Sequence, residues 1–219
     1  MSELAAPAAG LVYAAAVVLL LIRRSWRQYR LTGSTGFNGF RGAAQDPAAR
    51  AGGIGFAMAV LIGLVAPWLA TAGLLPVWNV PLLVAAVGAL VAAAGVRLGV
   101  TAQQAMGRSW RIGVDQTETT ELVTDGPFRL IRNPIFTALM MIQTGTATMA
   151  PTWLSLIGAG LMIAACQVQT RLVEEPYLLA RHDTAYRAYA TAAGRFVPGA
   201  GRLRDVTAPS TPHPSGGRS

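Results

Sequence analysis

Residues 126–136 read Gly-Pro-Phe-Arg-Leu-Ile-Arg-Asn-Pro-Ile-Phe, and here a polar loop with two arginines runs directly into an apolar segment. Proline suits the first turn of a helix, where its missing N–H group loses no hydrogen bond, so a helix is predicted to begin at Pro134. The apolar run continues to Ala150. Arg132 and Asn133 are therefore expected at the amino end of this helix, where free backbone N–H groups lie.

The chain around this stretch has the composition of a membrane protein. Of its 219 residues, 53% are hydrophobic and only 13% are charged, whereas soluble domains carry about 25% charged residues. The mean hydropathy is +0.42. Several apolar runs approach the length of a bilayer span, so the composition predicts an integral membrane protein.

The positions of the basic residues predict the topology. All 18 are arginines, which fall in three groups, residues 23–50, 97–132 and 171–218. Every arginine lies on one side if the chain crosses the bilayer five times, which satisfies the positive-inside rule. The N-terminus is then outside the cell membrane and the C-terminus is cytoplasmic. A nucleic-acid surface would explain the net charge of +8 but not this partition, so no nucleic-acid partner is expected. The five predicted spans are residues 11–22, 54–75, 80–100, 134–150 and 153–169.

The last two predicted spans form a helical hairpin that turns near Pro151. Arg132 and the Glu174-Glu175 pair lie at similar distances along the chain from this turn. Because residues of a helix advance about 1.5 Å each, the two positions are expected at similar depth on the same side of the membrane. Between residues 171 and 189, apolar and aromatic residues recur among charged ones, which predicts an amphipathic helix with a break near Pro176.

Three segments between and after the spans carry weaker signals. β-branched residues around a polar turn predict a short β-hairpin in the loop 103–125. The glycine-rich stretch 33–42 fits either a flexible interfacial loop or a flap whose phenylalanines contact a lipid-like substrate. Residues 204–219 are rich in Pro, Ser and Gly and are expected to be a disordered tail.

Few conventional catalytic groups are present. The chain has two histidines and one cysteine, so neither a metal site nor a Ser-His-Asp triad is predicted. The remaining candidate is a cluster of both charge signs at the cytoplasmic end of the hairpin. It fits either a structural salt-bridge cluster or a site for a zwitterionic cofactor, whose carboxylate would suit arginine and whose other groups would suit carboxylates. Its members are Arg132, Asn133, Glu174 and Glu175, with Arg171, Tyr186, Tyr189 and Arg195 nearby.

Several motifs together resemble the isoprenylcysteine carboxyl methyltransferase family and its phospholipid methyltransferase relatives. That family has a GPY segment, an RHPxYxG box, a hydrophobic hairpin, an EE pair, and a YxxY and RF-x-P ending. The likeness covers about residues 95–198. The box histidine, tyrosine and glycine are replaced here by Asn133, Phe136 and Ala138. The matching segments of this chain are Gly126-Pro127-Phe128-Arg129, Arg132-Asn133-Pro134-Ile135-Phe136, Glu174-Glu175, Tyr186-Arg187-Ala188-Tyr189 and Arg195-Phe196-Val197-Pro198.

The resemblance implies S-adenosylmethionine as cofactor and a lipophilic small-molecule substrate that enters from the bilayer. Arg132, Glu174 and Glu175 would form the catalytic centre, with Arg132 and Asn133 at the methionine end and the two glutamates at the ribose or ammonium. Tyr186, Tyr189 and Arg195 would close the pocket. It also implies a division into a membrane scaffold with a glycine-rich loop (1–94), a methyltransferase-like region (95–203) and a tail (204–219). The full set of implied cofactor-binding residues is Gly126, Pro127, Phe128, Arg132, Asn133, Pro134, Phe136, Glu174, Glu175, Tyr186, Tyr189 and Arg195.

Two other functions fit the same sequence. Membrane sterol reductases end in a related helical region, so an NADPH-dependent reductase is the first alternative. The second is a non-catalytic membrane scaffold in which the acid-arginine cluster only stabilises the fold.

Overall fold

Helices make up the regular structure of the described residues. The computed structural model describes residues 4–33, 46–107 and 122–203, and within these ranges the only β pairing is an isolated parallel bridge between Ile131 and Gly194. The predicted all-α class is therefore confirmed. The helices are α1 (Ala5–Val17), α2 (Arg23–Thr32), α3 (Pro47–Thr71), α4 (Leu82–Met106), α5 (Pro134–Met149), α6 (Trp153–Val168) and α7 (Glu175–Ala192).

Three short elements connect these helices. A π-helical segment, Val18–Ile22, joins α1 to α2, and a second, Gln169–Glu174, joins α6 to α7. Each pair therefore runs as one continuous helix. A single 3-10 turn, Gly126–Arg129, precedes α5.

Among the described residues, four helices are long and apolar enough to cross a membrane: Ala5–Arg30, Pro47–Thr71, Leu82–Met106 and Trp153–Ala192. The fourth has 40 residues, and its regular part before the interruption at Asp183 is about 45 Å long, which exceeds the hydrocarbon core of about 30 Å. Its polar part from Glu174 onward therefore extends beyond the membrane-spanning part. Helix α5 has 16 residues and is shorter than these four. The expected count of five spans is thus not confirmed, although a membrane protein of several apolar helices is.

Some predicted boundaries differ from the structure. Helix α4 continues to Met106, so the loop expected to begin at residue 103 begins later. The rest of the predicted β-hairpin, the glycine-rich segment 34–42 and the tail 204–219 lie outside the described residues.

The break expected near Pro176 does not occur there. Pro176 lies in the first turn of α7, and the preceding π-helical segment lets the helix pass through this position. The helical geometry is interrupted instead at Asp183, whose φ is 29° and ψ is −102°.

Small residues bring α4 and α5 together. A Cβ atom added to Gly145 of α5 would lie 2.6 Å from the backbone nitrogen of Ala92 and from the carbonyl oxygen of Gly88 on α4. Ala138 of α5 is fully buried. Backbones this close gain van der Waals contact that larger side chains would prevent.

The α5–α6 hairpin closes as expected at residues 150–152. Thr152 and Ser155 form a capping box at the start of α6, and the backbone N–H of Trp78 donates to the carbonyl of Pro151 at 2.9 Å. The hairpin therefore has a fixed turn, and both of its open ends lie at the opposite end of the helices.

The glycine packing predicts a difference between two alanine substitutions. Gly145→Ala should lower the stability by about 1–3 kcal/mol, because the new methyl group meets α4 backbone that cannot move aside. Gly160→Ala is the matched control, because a Cβ there has nothing within 4 Å. Thermal unfolding of both variants in the same detergent measures the difference, and an equal loss in both would contradict the close packing of α4 and α5.

Candidate functional site

Arg132 lies immediately before α5 and is 6% exposed. Its Nη1 donates to the carbonyls of Ala190 and Ala193 at 3.0 and 2.6 Å. Its Nη2 donates to Glu175 Oε1 at 2.7 Å and to the carbonyl of Gly201 at 3.0 Å. One guanidinium thus connects the start of α5, both ends of α7 and the chain beyond α7.

The segment 193–203, which we call the C-terminal strap, pairs with the loop before α5. The Arg132 and Asn133 N–H groups donate to the carbonyls of Gly194 and Arg195 at 2.7 and 3.1 Å, and the Gly194 N–H donates to Leu130. A Cβ on Gly194 would lie 2.0 Å from the Val197 carbonyl, so the strap requires glycine there. The Thr137 hydroxyl also donates to the strap, to the Phe196 carbonyl at 2.9 Å.

Glu175 is buried between two arginines. Besides the Arg132 bond, Arg195 Nε donates to Glu175 Oε1 at 2.8 Å and Arg195 Nη2 donates to Oε2 at 2.9 Å. Burial alone would raise the pKa of the Glu175 carboxyl, but the hydrogen bonds from Arg195 and Arg132 bring that pKa below its ordinary value. The hydrogen bonds to Glu175 raise the pKa of Arg195. Glu175 therefore stays ionised as the shared partner of both guanidinium groups.

Glu174 is in a different environment from its neighbour. It is partly buried, and within the described ranges it forms neither a hydrogen bond nor an ion pair. Burial, and then the charge of Glu175, raise the pKa of Glu174 to about 7. Adjacent residues of a helix point about 100° apart, so one glutamate meets the arginines and the other does not.

Two tyrosines of α7 border this cluster. Tyr186 is 1% exposed, and its ring contacts that of Tyr189 edge to face with centroids 6.1 Å apart. The Tyr189 hydroxyl donates to the Phe128 carbonyl at 2.7 Å. Burial raises the pKa of Tyr186 to about 12, so its phenol stays neutral at physiological pH.

The remaining predicted residues are divided between two places. Gly126, with φ of +58°, and Pro127 begin the 3-10 turn that carries Phe128, and Pro134 begins α5. Asn133 does not cap α5; its Nδ2 donates to the Arg195 carbonyl at 3.1 Å. Phe136 packs instead against the apolar cluster of Ala59, Met162 and Cys166. The turn and Asn133 thus adjoin the charged cluster, whereas Phe136 faces the hydrophobic interior.

Sequence reasoning missed the strap contacts of Thr137 and Gly194. The Gly194 contacts join main-chain groups, and the Thr137 hydroxyl donates to a main-chain carbonyl, so no periodic pattern or charge indicates either contact. The nearest available signal was the glycine directly before Arg195.

The cluster fits a ligand that carries both signs of charge. Two arginines share one ionised carboxylate, which leaves a net positive charge, while Glu174 can supply a negative charge nearby. Arg132 Nε and Thr170 Oγ1 are buried without hydrogen-bond partners within the described residues. Buried polar groups usually have partners, so these atoms mark places for ligand groups or ordered water. Within the same ranges, no group of three or more His, Cys, Asp or Glu could hold a metal ion.

Comparison with known proteins bears on the same region. The family model described as phospholipid methyltransferase matches residues 83–184. A search of curated proteins found no match, and neither did a search of solved structures. The match confirms the family resemblance seen in the sequence. The matched segment includes Arg132, Glu174 and Glu175 but ends before Tyr186, Tyr189 and Arg195.

The geometry predicts that Glu175 is essential to the fold around the cluster. Glu175→Ala should lower the stability by about 3–5 kcal/mol, because Arg132 would keep a buried charge without its partner. Arg187→Ala is the control, since the Arg187–Asp183 pair is exposed and should contribute almost nothing. Chemical unfolding of both variants tests this, and equal stabilities would show that the Glu175 bonds are not structural.

Proposed function

We propose that this chain, like the phospholipid methyltransferase family whose model matches residues 83–184, is a membrane methyltransferase, and that it uses S-adenosylmethionine to methylate a lipophilic substrate reached from the bilayer. The supporting observation is the buried cluster in which two arginines share Glu175, while Glu174 has neither a hydrogen bond nor an ion pair within the described residues. The amino-acid part of S-adenosylmethionine carries a carboxylate and an ammonium. Such a ligand needs both charge signs within a few ångströms.

Each residue of the cluster has a distinct proposed role. Arg195 is the carboxylate receptor, since its side chain is 18% exposed and the cluster carries surplus positive charge. Arg132 Nε, which is buried without a hydrogen-bond partner within the described residues, would donate to the same end of the ligand. Glu174 binds the ammonium or the ribose, and Glu175 positions both arginines. Tyr186 and Tyr189 cover the cluster and exclude water.

The cofactor supplies a methyl group already activated on a sulfonium. The contribution of the protein is therefore alignment of the two reactants and removal of water from between them. A rigid cluster suits this task, because Arg132 and Glu175 are fixed by several hydrogen bonds each. We assign no general base, because transfer from a sulfonium depends first on orientation.

The substrate would lie on the apolar side of the α5–α6 hairpin. Phe136, Leu139 and Met140 of α5 are half-buried and pack against the buried Met162 and Cys166 of α6, and their exposed parts would form the wall that the substrate contacts. These side chains suit the hydrocarbon part of a lipid or an isoprenoid-type molecule. Phe136 stands where the isoprenylcysteine carboxyl methyltransferase pattern has tyrosine, so this wall is wholly apolar at a position where the pattern has a hydroxyl.

Another departure from the isoprenylcysteine carboxyl methyltransferase pattern has a structural explanation. Ala138 replaces the box glycine, and it faces two glycines of α4. A Cβ on Gly95 would lie 2.9 Å from the Ala138 carbonyl, and a Cβ on Gly99 would lie 3.3 Å from the Ala138 Cβ. The glycines of α4 thus leave room for the extra methyl group, and the change at this position does not count against cofactor binding.

Calorimetry on the full-length chain in detergent tests the cofactor. S-adenosylhomocysteine should bind the wild type, and Arg195→Gln should weaken binding by about tenfold, because a charged hydrogen bond to the carboxylate is lost. Arg187→Gln, an exposed residue of the same helix region, is the control. Binding of NADPH with no response to S-adenosylhomocysteine would replace the proposal with the reductase alternative, and binding of neither would favour the scaffold.

The raised pKa of Glu174 predicts a pH dependence. The carboxyl is mostly protonated below its pKa of about 7 and ionised above it, and only the ionised form attracts an ammonium group. The affinity for S-adenosylhomocysteine should therefore increase about tenfold from pH 6 to pH 8.

The Glu174→Gln variant is the control for this pH dependence. Its affinity should be lower and nearly constant over the same pH range, because glutamine does not titrate. A wild-type affinity that is constant with pH, or a variant that keeps the full dependence, would show that Glu174 does not contact the ligand.

A further inference from the structure

Helix α2 extends the first membrane helix beyond the hydrocarbon core. The continuous helix Ala5–Arg30 has 26 residues and is about 39 Å long, whereas the core is about 30 Å thick. Its apolar residues end at Ile22, and Arg23 follows directly. The turns of α2 therefore lie at the depth of the lipid headgroups.

The inner face of α2 is fixed against the end of α4. Arg24 is 6% exposed and donates to the carbonyl of Gly107, the residue directly after α4. Gln28, one turn further, is also buried. Gln103 of α4 donates to the Leu20 carbonyl at 2.7 Å. These contacts determine which side of α2 faces outward.

The outward side carries a stripe of positive and aromatic groups. Arg23, Arg27 and Arg30 are exposed and recur at intervals of four and three residues, which places them on one side of the helix. Trp26 lies between them, is 60% exposed, and has the Arg30 guanidinium carbon 5.0 Å from its ring centroid. Residues 4–33 contain no Asp or Glu. Within the described part of the chain, none of the three arginines has an ion-pair partner.

We propose that Arg23, Arg27 and Arg30, together with Trp26, form a binding site for the headgroups of anionic phospholipids. Guanidinium groups bind phosphate through two parallel hydrogen bonds, and tryptophan favours the boundary between headgroups and hydrocarbon. A stripe on the lipid-facing side of a membrane helix meets headgroups before it meets any soluble anion. The site is separate from the acid-arginine cluster and does not depend on the proposed reaction.

Native mass spectrometry tests this site by measuring which lipids the full-length chain retains after release from mixed bilayers of phosphatidylglycerol and phosphatidylcholine. The wild type should retain phosphatidylglycerol in preference to phosphatidylcholine. The triple variant Arg23→Gln, Arg27→Gln, Arg30→Gln should lose that preference by about fivefold for each arginine. A second triple variant, Arg129→Gln, Arg181→Gln, Arg202→Gln, removes the same charge from exposed positions elsewhere. This control should keep the preference for phosphatidylglycerol.

Two results would overturn the proposal. Equal losses in the two triple variants would show that only net charge matters. Displacement of phosphatidylglycerol by soluble glycerol phosphate at the same concentration would show a site for a soluble anion instead of a lipid.

Trp26→Ala keeps every charge and provides an independent test if the triple variant does not fold. It should reduce phosphatidylglycerol retention several-fold, because the arginine stripe loses the ring that Arg30 contacts. Unchanged retention in this variant would contradict a site that includes the indole.

Discussion

The carboxylate of Glu175 is the interaction on which the rest of the site depends. It accepts hydrogen bonds from Arg132, at the start of α5, and from Arg195, on the C-terminal strap, while its own backbone begins α7. Two guanidinium groups could not be buried side by side without an anion between them. The same carboxylate therefore stabilises the cluster, holds the strap against the hairpin and leaves a net positive charge. This arrangement explains how a charged site persists at the end of an apolar helix pair.

Much of this arrangement could be predicted from the sequence. Charge partition and apolar runs indicated a helical membrane protein, and similar chain distances from Pro151 indicated that Arg132 could meet the Glu174-Glu175 pair. The structure confirms the second inference with a bond of 2.7 Å. The sequence could not tell which glutamate forms the bond, because the π-helical segment Gln169–Glu174 changes the rotation of the helix just before the pair. The strap was also not predictable, since its contacts are mostly between main-chain groups, which leave no side-chain pattern.

The two π-helical segments occur at comparable places. Each lies where an apolar helix ends and a polar helix begins, Val18–Ile22 before α2 and Gln169–Glu174 before α7. Each also adjoins buried polar groups. The amide of Gln103 donates to the Leu20 carbonyl at the first, and the Thr170 hydroxyl, which has no hydrogen-bond partner among the described residues, lies in the second. π-helical turns inside longer helices are frequent at functional sites, because they rotate the following residues without ending the helix. In this chain the first precedes the exposed Arg23, Arg27 and Arg30, and the second precedes Glu175, which bonds the arginines while Glu174 does not within the described residues.

The most direct test of the central claim is an experimental structure of the full-length chain with S-adenosylhomocysteine bound. We expect the ligand carboxylate to contact Arg195, the ligand ammonium to lie within hydrogen-bonding distance of Glu174, and Glu175 to keep its bond to Arg132. A ligand bound away from this cluster, or one that replaces Glu175 as the partner of Arg132, would contradict the claim.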